Sequence, residues 1–149
     1  MNKDVQLAPT KLSENIVKVR IIHAWGANIL FYVGKNEVLM VDAGYYNSAA
    51  KLLEYAGMLS KNPIKKIIIS HPHADHVGAV AYILSNPLII AHEMAKFRKL
   101  TPVEEFFVKN FHSINIDEEI INIYSMTGGH SIYDMVVHFT KADIVYTGD

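Results

Sequence analysis

Apolar positions recur along the chain in short runs that predict strands more often than helices. Residues 15–22 alternate apolar and polar side chains, which is typical of a strand with one buried face. Residues 28–33 and 37–41 predict two more strands, and the glycine-containing segment 34–36 between them predicts a tight hairpin turn. This part of the chain is therefore predicted to form neighbouring strands joined by a hairpin.

Five later runs also predict strands. Residues 64–70 and 88–91 are rich in isoleucine, and such short apolar runs are typical of strands that are buried on both faces. Three further strands are predicted over residues 119–125, 135–139 and 144–147.

Three segments have the spacing of helices. Residues 48–58 place their apolar side chains on one face after Ser48, a possible N-cap, and residues 77–84 and 93–100 also predict helices. The phenylalanine-rich segment 103–112 suits either a helical face or a cover over a groove. Because strands outnumber helices, and hairpins are mixed with strand–helix–strand steps, the pattern predicts an α+β fold built in layers.

Composition narrows the classes of function. The chain has 149 residues, about one domain, and 50% hydrophobic with 19% charged residues predicts a globular unit over residues 1–149. Its 14 basic and 15 acidic residues leave a net charge of −1, so we expect no nucleic-acid or membrane partner. Residues 1–12 lack the apolar core of a signal peptide, and we expect a cytoplasmic protein. Since cysteine is absent, any metal must be held by histidines and carboxylates.

The candidate chemistry lies in the segment Ser-His-Pro-His-Ala-Asp-His-Val-Gly at residues 70–78. Alternate residues of an extended segment point the same way, so His71 and His73 can converge on one ion. The chain then enters a predicted helix, where Asp75 and His76 can face a neighbouring point. Four metal-binding side chains within six residues favour two adjacent metals over one. The chain has 8 histidines, and four others have no ligand-like spacing, so they are expected to be packing or surface residues: His23, His92, His112 and His138.

The motif H-x-H-x-D-H after a hydrophobic strand resembles the signature of the metallo-β-lactamase fold superfamily. Asp42-Ala43-Gly44, which ends the strand predicted over residues 37–41, resembles the first motif of that family. The segment 127–131, Thr-Gly-Gly-His-Ser, resembles the third motif, and the segment 145–149, Val-Tyr-Thr-Gly-Asp, resembles the fourth. The order and spacing of these motifs agree with the family from about residue 15 onward. The resemblance implies an αββα sandwich.

The resemblance also implies the ligands of two metals. His71, His73 and His130 would bind the first metal, and Asp75 and His76 would bind the second. Asp149 would bridge the two ions. Asp42 would orient the histidine-bearing loop by hydrogen bonds, which is support that metal sites need.

The activity implied is that of a metal-dependent hydrolase. Two divalent ions lower the pKa of a shared water, and the resulting metal-bound hydroxide would attack an ester, thioester, lactone or related bond of a small-molecule substrate. Asp75 is the candidate catalytic residue, because a carboxylate that faces the metals can also transfer a proton. Imidazoles with carboxylates suit zinc best, so two zinc ions are expected, with iron or manganese possible.

Two other functions remain open. One is an oxidoreductase that resembles the sulfur dioxygenases and holds a single iron through His71, His130 and Asp149. The other is a non-catalytic remnant with an incomplete metal site. Metal analysis separates these hypotheses, because they predict two zinc ions, one iron, or sub-stoichiometric metal.

One departure from the family bears on the boundaries of the domain. The family has a fifth motif, another histidine, in a C-terminal half that also supplies the second sheet and its outer helices, and this sequence stops at the fourth motif. We therefore expect an incomplete sandwich that lacks its C-terminal portion. Such a half-fold would expose the inner face of its sheet, so we expect a homo-oligomer or a swapped association that covers it.

Overall fold

The computed structural model describes residues 5–23, 26–97 and 105–149, which form two packed β-sheets with helices on one side. The larger sheet has seven strands in chain order from edge to edge: β1 (Gln6–Lys11), β2 (Ile16–Ile22), β3 (Ala27–Val33), β4 (Val38–Val41), β5 (Ile64–Ile68), β6 (Leu88–His92) and β7 (Glu105–Val108). Strands β1 to β4 pair antiparallel, and β4 to β7 pair parallel.

The smaller sheet is antiparallel throughout. Its four strands lie in the order β11-β10-β9-β8, which is the reverse of the chain order. Their bounds are Phe111–Ile116 for β8, Glu119–Met126 for β9, Asp134–Phe139 for β10 and Ile144–Tyr146 for β11.

Among the described residues, only one helix, α1 (Ala49–Leu59), is longer than five residues. Helix α1 follows a 3₁₀ turn at Tyr46–Ser48, and α2 (Ala74–Val77) has a single turn. Two further 3₁₀ helices occupy Val80–Tyr82 and Glu93–Phe97. No helix within the described ranges is long and apolar enough to cross a membrane.

The larger sheet buries both of its faces, so the expectation of an exposed inner face is wrong: the smaller sheet covers it. Strand β2 shows how both faces are packed. Val19 and Ile21 point toward the core that includes Leu52 of α1, whereas Ile16 points into the core shared with the smaller sheet. The second core includes Phe139 from β10. The alternation predicted for residues 15–22 therefore separates two cores, and the predicted layered α+β fold is confirmed.

Two of the three predicted helices are wrong in extent. The helix predicted over residues 77–84 is replaced by α2 and a separate 3₁₀ turn, because the N–H of Ala79 donates to the Gly44 carbonyl instead of continuing the helical ladder. The helix predicted over residues 93–100 is a 3₁₀ helix to Phe97, and its remainder lies outside the described residues.

Strands β1, β7 and β8 were not predicted from the pattern, and β7 lies within the segment 103–112 whose assignment the sequence left open. Strand β1 contains Pro9 and lies at a sheet edge, a position that tolerates proline. Strand β8 begins in the segment whose assignment the sequence left open, and its exposed positions alternate with partly buried ones.

Candidate metal centre

The histidine-rich loop, residues 70–76, begins just beyond the carboxyl end of β5. Strands β4 and β5 are parallel, so Asp42 after β4 and Ser70 after β5 come to the same edge of the sheet. His73 has extended backbone angles and precedes α2, and its carbonyl accepts a hydrogen bond from the N–H of His76. This turn brings the side chains of the loop back toward one another.

Three imidazoles converge at the mouth of this loop. His71, His73 and His130 each offer a ring nitrogen, and these atoms all lie within 4.8 Å of one another. His130 Nε2 lies 3.1 Å from His73 Nδ1, although the two residues are 57 positions apart. His71 is 2% exposed at the base of the group, and the other two rings face solvent. The arrangement can hold one metal ion.

A second group shares His71 with the first. His71, His76 and Asp149 place one ligand atom each within 4.8 Å of the others. His76 Nε2 lies 3.2 Å from Asp149 Oδ1 and 3.5 Å from Asp75 Oδ2. Asp149 also approaches the first group, because its Oδ2 lies 4.0 Å from His130 Nε2. The structure thus places Asp149 between the two groups, and Asp75 at the rim of the second.

The buried ring nitrogens of the two groups fit a metal. His71 Nε2 and His76 Nε2 are both buried, and neither makes a hydrogen bond within the described part of the chain. The contact from His76 Nε2 to Asp149 is close, but it lacks hydrogen-bonding geometry. Since an unpaired buried polar atom costs free energy, two such atoms beside carboxylates are what a cation site provides before the ion binds.

Asp42 connects the loop to the sheet beneath it. Its Oδ1 accepts the N–H of Ser70 at 2.7 Å, and its Oδ2 accepts the Ser70 hydroxyl at 2.6 Å. The same Oδ2 lies 2.6 Å from His76 Nδ1 and accepts the hydroxyl of Tyr146 at 2.6 Å. With Nδ1 of His76 donating to the carboxylate, its Nε2 keeps a free lone pair directed at Asp149.

Electrostatics shift the pKa values of the two buried imidazoles in opposite directions. Burial, together with the nearby His76, lowers the pKa of His71 to about 4, so His71 is neutral and can act as a ligand at neutral pH. Burial alone would also lower the pKa of His76, but the hydrogen bond and charge of Asp42 outweigh it and raise that pKa. Burial and the Asp42 carboxylate raise the pKa of Tyr146 well above its usual value, so its hydroxyl remains a donor.

Asp134 is a supporting residue that the sequence analysis missed. Its carboxylate accepts the N–H and the hydroxyl of Ser131, next to His130, at 2.9 and 2.5 Å. Burial raises the pKa of Asp134, but these hydrogen bonds outweigh burial and lower it, so the group is ionised. The three-residue spacing from Ser131 to Asp134 is the local signal that could have identified this contact.

Gly148 determines how closely Asp149 approaches the loop. Its φ is +65°, and a Cβ at this position would lie 2.6 Å from Ser70 Oγ. Glycine is therefore required for the chain after β11 to pass against the loop. Tyr146 and Gly148 together place the Asp149 side-chain carboxylate beside His76.

A cavity of about 350 Å³ opens beside these groups. Its walls are formed by the end of the β2–β3 hairpin and by two acidic residues of the candidate centre: Arg20, Gly26, Ala27, Asn28, Asp75 and Asp149. A larger cavity of about 570 Å³ lies between Ser13 and Ala142, and none of the candidate ligands lines it. The smaller cavity is thus the one placed to admit a substrate to the centre.

The other histidines lie outside both groups. His92 is buried and accepts the N–H of Met94, and His23 contacts the side chain of Asn47 at 3.0 Å. His138 lies on β10, 3.9 Å from Asp143. These positions agree with packing or surface roles.

A family model decides the classification. The model for the metallo-beta-lactamase superfamily matches residues 24–149. The chain belongs to the metallo-beta-lactamase superfamily. Within this superfamily, the histidine-rich loop, the segment that presents His130 and the strand that leads to Asp149 correspond to the motifs recognised in the sequence.

Curated relatives of this superfamily member are hydrolases. Ribonuclease J 2 of Streptococcus pyogenes is 34% identical over 131 residues, which cover 77% of this chain and 22% of the relative. Hydroxyacylglutathione hydrolase of Prochlorococcus marinus is 21% identical over 139 residues, which cover 92% of this chain and 54% of the relative. The chain therefore spans about a fifth to a half of the length of these relatives.

Solved structures confirm the fold of the superfamily. A metallo-beta-lactamase from Pontibacter korlensis superposes with a TM-score of 0.84 at 18% identity, covering 94% of this chain and 70% of that one. A flavo di-iron protein variant from Thermotoga maritima superposes with a TM-score of 0.81 at 16% identity, covering 96% of this chain and 42% of that one. The metallo-β-lactamase-like fold expected from the motifs is thus confirmed.

Proposed function

We propose that the protein is a metal-dependent hydrolase with a binuclear zinc centre at the carboxyl ends of β4 and β5. The observation that carries the proposal is the convergence of two ligand groups on the buried, neutral His71. Neutral imidazoles beside carboxylates suit zinc best, with iron and manganese as the alternatives. The two curated relatives described above are hydrolases, which supports the reaction class.

The ligands proposed for the first ion are His71, His73 and His130, and those proposed for the second are Asp75 and His76, with Asp149 shared. When bound, the ions would polarise the oxygen of the scissile bond and lower the pKa of a water molecule.

The residues of the chain then have separate tasks. Asp42 fixes the ring orientation of His76 through Nδ1, and Ser70 holds the loop against the Asp42 carboxylate. Asp75 lies at the rim, where it lines the cavity with its Oδ2 3.5 Å from His76 Nε2, and its carboxylate can accept a proton and return it to the leaving group.

The proposed substrates are small molecules with an ester, thioester, lactone or related bond. The net charge of −1 supports a small substrate over a nucleic acid, and a cytoplasmic location is part of the same proposal. Because ribonucleases J are among the relatives, an RNA substrate is the alternative that the assays must include.

Metal analysis tests the proposal directly. Protein purified without chelators should carry about two zinc ions per chain. His71→Ala should lose at least the first of them, while His138→Ala, outside both groups, should keep both. One iron per chain would instead indicate the dioxygenase-like centre of His71, His130 and Asp149. Sub-stoichiometric metal, with no hydrolysis of ester, thioester, lactone or RNA substrates, would indicate a non-catalytic remnant and contradict the proposal.

A further inference from the structure

The cavity beside the candidate centre has two walls of opposite character. One wall carries Asp75 and Asp149, which belong to the proposed metal ligands. The other wall is the end of the β2–β3 hairpin, with Arg20, Gly26 and Asn28. A substrate in this cavity would lie between the metals and the hairpin.

The pairing of β2 with β3 places the residues of the second wall on the side of the candidate metal centre. Arg20 and Asn28 are directly opposite each other on β2 and β3. Val19 and Ile21 belong to the core on the α1 side, so the alternation of the strand places Arg20 on the face toward the smaller sheet. The hydroxyl oxygen of Tyr146, on β11 of that sheet, lies 2.6 Å from the main-chain oxygen of Asn28, so the hairpin packs next to the strand that leads to Asp149.

Arg20 is the only cation among the described residues that line this cavity. No ion pair or hydrogen bond engages its guanidinium within the described ranges. A guanidinium stays charged at any physiological pH and binds carboxylate or phosphate oxygens in pairs. Once Asp75 and Asp149 bind metal, Arg20 remains as the unpaired charge that a substrate can meet.

Two neighbours shape the space around this charge. A Cβ on Gly26 would lie 3.3 Å from Arg20 Nη2, so the absence of a side chain leaves the guanidinium open to the cavity. Asn28 Oδ1 is buried and has no hydrogen-bond partner in the described part of the chain. Asn28 lines the same cavity, so it and Gly26 together bound the space around the guanidinium.

We propose that the substrate is a small acid whose carboxylate or phosphate binds Arg20, with the scissile bond directed at the metals. The inference rests on the proposed hydrolase function and specifies the substrate class of that site.

Direct binding to the zinc-loaded protein tests the inference without turnover. We would titrate N-acetylglycine, its neutral amide N-acetylglycinamide and glycerol phosphate, and follow binding by calorimetry or NMR. Wild type should bind at least one of the two anions more tightly than the neutral amide. Arg20→Gln should lower the affinity for that anion about tenfold or more, because a charge-assisted paired contact is lost. Arg20→Lys keeps the charge but not the paired N–H donors of the guanidinium, and should give an intermediate affinity.

A control variant and the zinc content distinguish failure of this inference from failure of the hydrolase proposal. Lys65→Gln removes an exposed positive charge on β5 and should bind like wild type. Full zinc content in Arg20→Gln with unchanged anion affinity would overturn this inference and leave the hydrolase proposal standing. Absence of zinc in wild type would overturn both. The anion that responds to Arg20 identifies the carboxylate or the phosphate class. A response confined to a short single-stranded RNA would overturn the small-molecule assignment.

Discussion

Asp42 Oδ2 lies 2.6 Å from His76 Nδ1, and the two side chains are 0% and 1% exposed although they are 34 positions apart in the chain. The carboxylate that raises the pKa of His76 also fixes which nitrogen of its ring faces Asp149. Asp42 reaches this position with a φ of +61°, which aspartate tolerates better than most residues. One side chain thus both raises the pKa of a proposed ligand and fixes its orientation.

Replacing Asp42 with asparagine should weaken zinc binding about 10- to 100-fold, which is typical for loss of a group that orients a ligand. The amide nitrogen would face either the Ser70 N–H or the three donors at Oδ2, from Ser70, His76 and Tyr146, and only an oxygen can accept them. Competition with a chromophoric chelator measures the affinity. Asp143→Asn is the matched control, since Asp143 also has a positive φ, of 54°, and its carboxylate is 97% exposed. Equal zinc affinity in both variants would contradict the role of Asp42.

The shared position of His71 predicts unequal losses of metal. His71→Ala should remove the first zinc ion and also weaken the second, because the ring is a proposed ligand of the first ion and lies within 4.8 Å of the ligand atoms of His76 and Asp149. His130→Ala should leave one zinc ion, because His130 belongs only to the first group. Elemental analysis of the two variants decides the point. The same zinc content in both variants would show that His71 supports only the first site.

Tyr146 extends the Asp42 network into the smaller sheet. Tyr146→Phe keeps the buried ring but removes the hydroxyl between Asp42 and the Asn28 carbonyl, so the free energy of unfolding should fall by about 1–2 kcal/mol. Urea denaturation of the metal-free protein measures the change. Tyr124→Phe, on the exposed face of β9, should lose less than about 0.5 kcal/mol. A similarly small loss at Tyr146 would show that the network adds nothing to stability.

The sequence could predict the parts of the centre that lie on one short segment. His71, His73 and His76 follow a buried strand within six positions, and their spacing alone indicated a metal site. It could not show that His71 would be the member common to both groups, because this depends on how β10 and β11 deliver His130 and Asp149. Long-range placement of this kind follows from sheet packing, which periodicity does not record.

The supporting contacts were the least predictable. The hydroxyl of Tyr146 and the carboxylate of Asp42 meet across 104 positions, and Tyr146 looks like an ordinary strand residue in the sequence. The predicted extent of the helix over residues 77–84 was wrong for a related reason. Helix α2 stops early because the Ala79 N–H donates to the Gly44 carbonyl. Local propensity favours a helix there, and a tertiary hydrogen bond overrides it.

The outer face of the smaller sheet predicts self-association. Ile120 and Met126 are 48% and 50% exposed on β9, and Val145 on β11 is 56% exposed. We expect a second copy to cover this face, so sedimentation equilibrium should detect a dimer that Ile120→Ser with Val145→Ser weakens. Met58→Ser, at an exposed position of α1, should leave association unchanged. A wild-type protein that stays monomeric at about 100 µM, well above the range of stable dimers, would contradict this expectation.

Two glycines should respond oppositely to alanine. A Cβ on Gly78 would lie 2.5 Å from the Tyr46 nitrogen and 2.6 Å from the Ala74 oxygen, and these main-chain atoms cannot move aside independently. Gly78→Ala should therefore cost about 1–3 kcal/mol and displace the loop that carries His76, lowering zinc affinity as well. Gly57 lies inside α1 with no atom within 4 Å of its Cβ position, so Gly57→Ala should stabilise the protein by roughly 0.5–1 kcal/mol and leave zinc affinity unchanged. Thermal denaturation and chelator competition on both variants test the pair. A tolerated alanine at Gly78 would mean that the contact between α2 and the segment after β4 is looser than the structure shows.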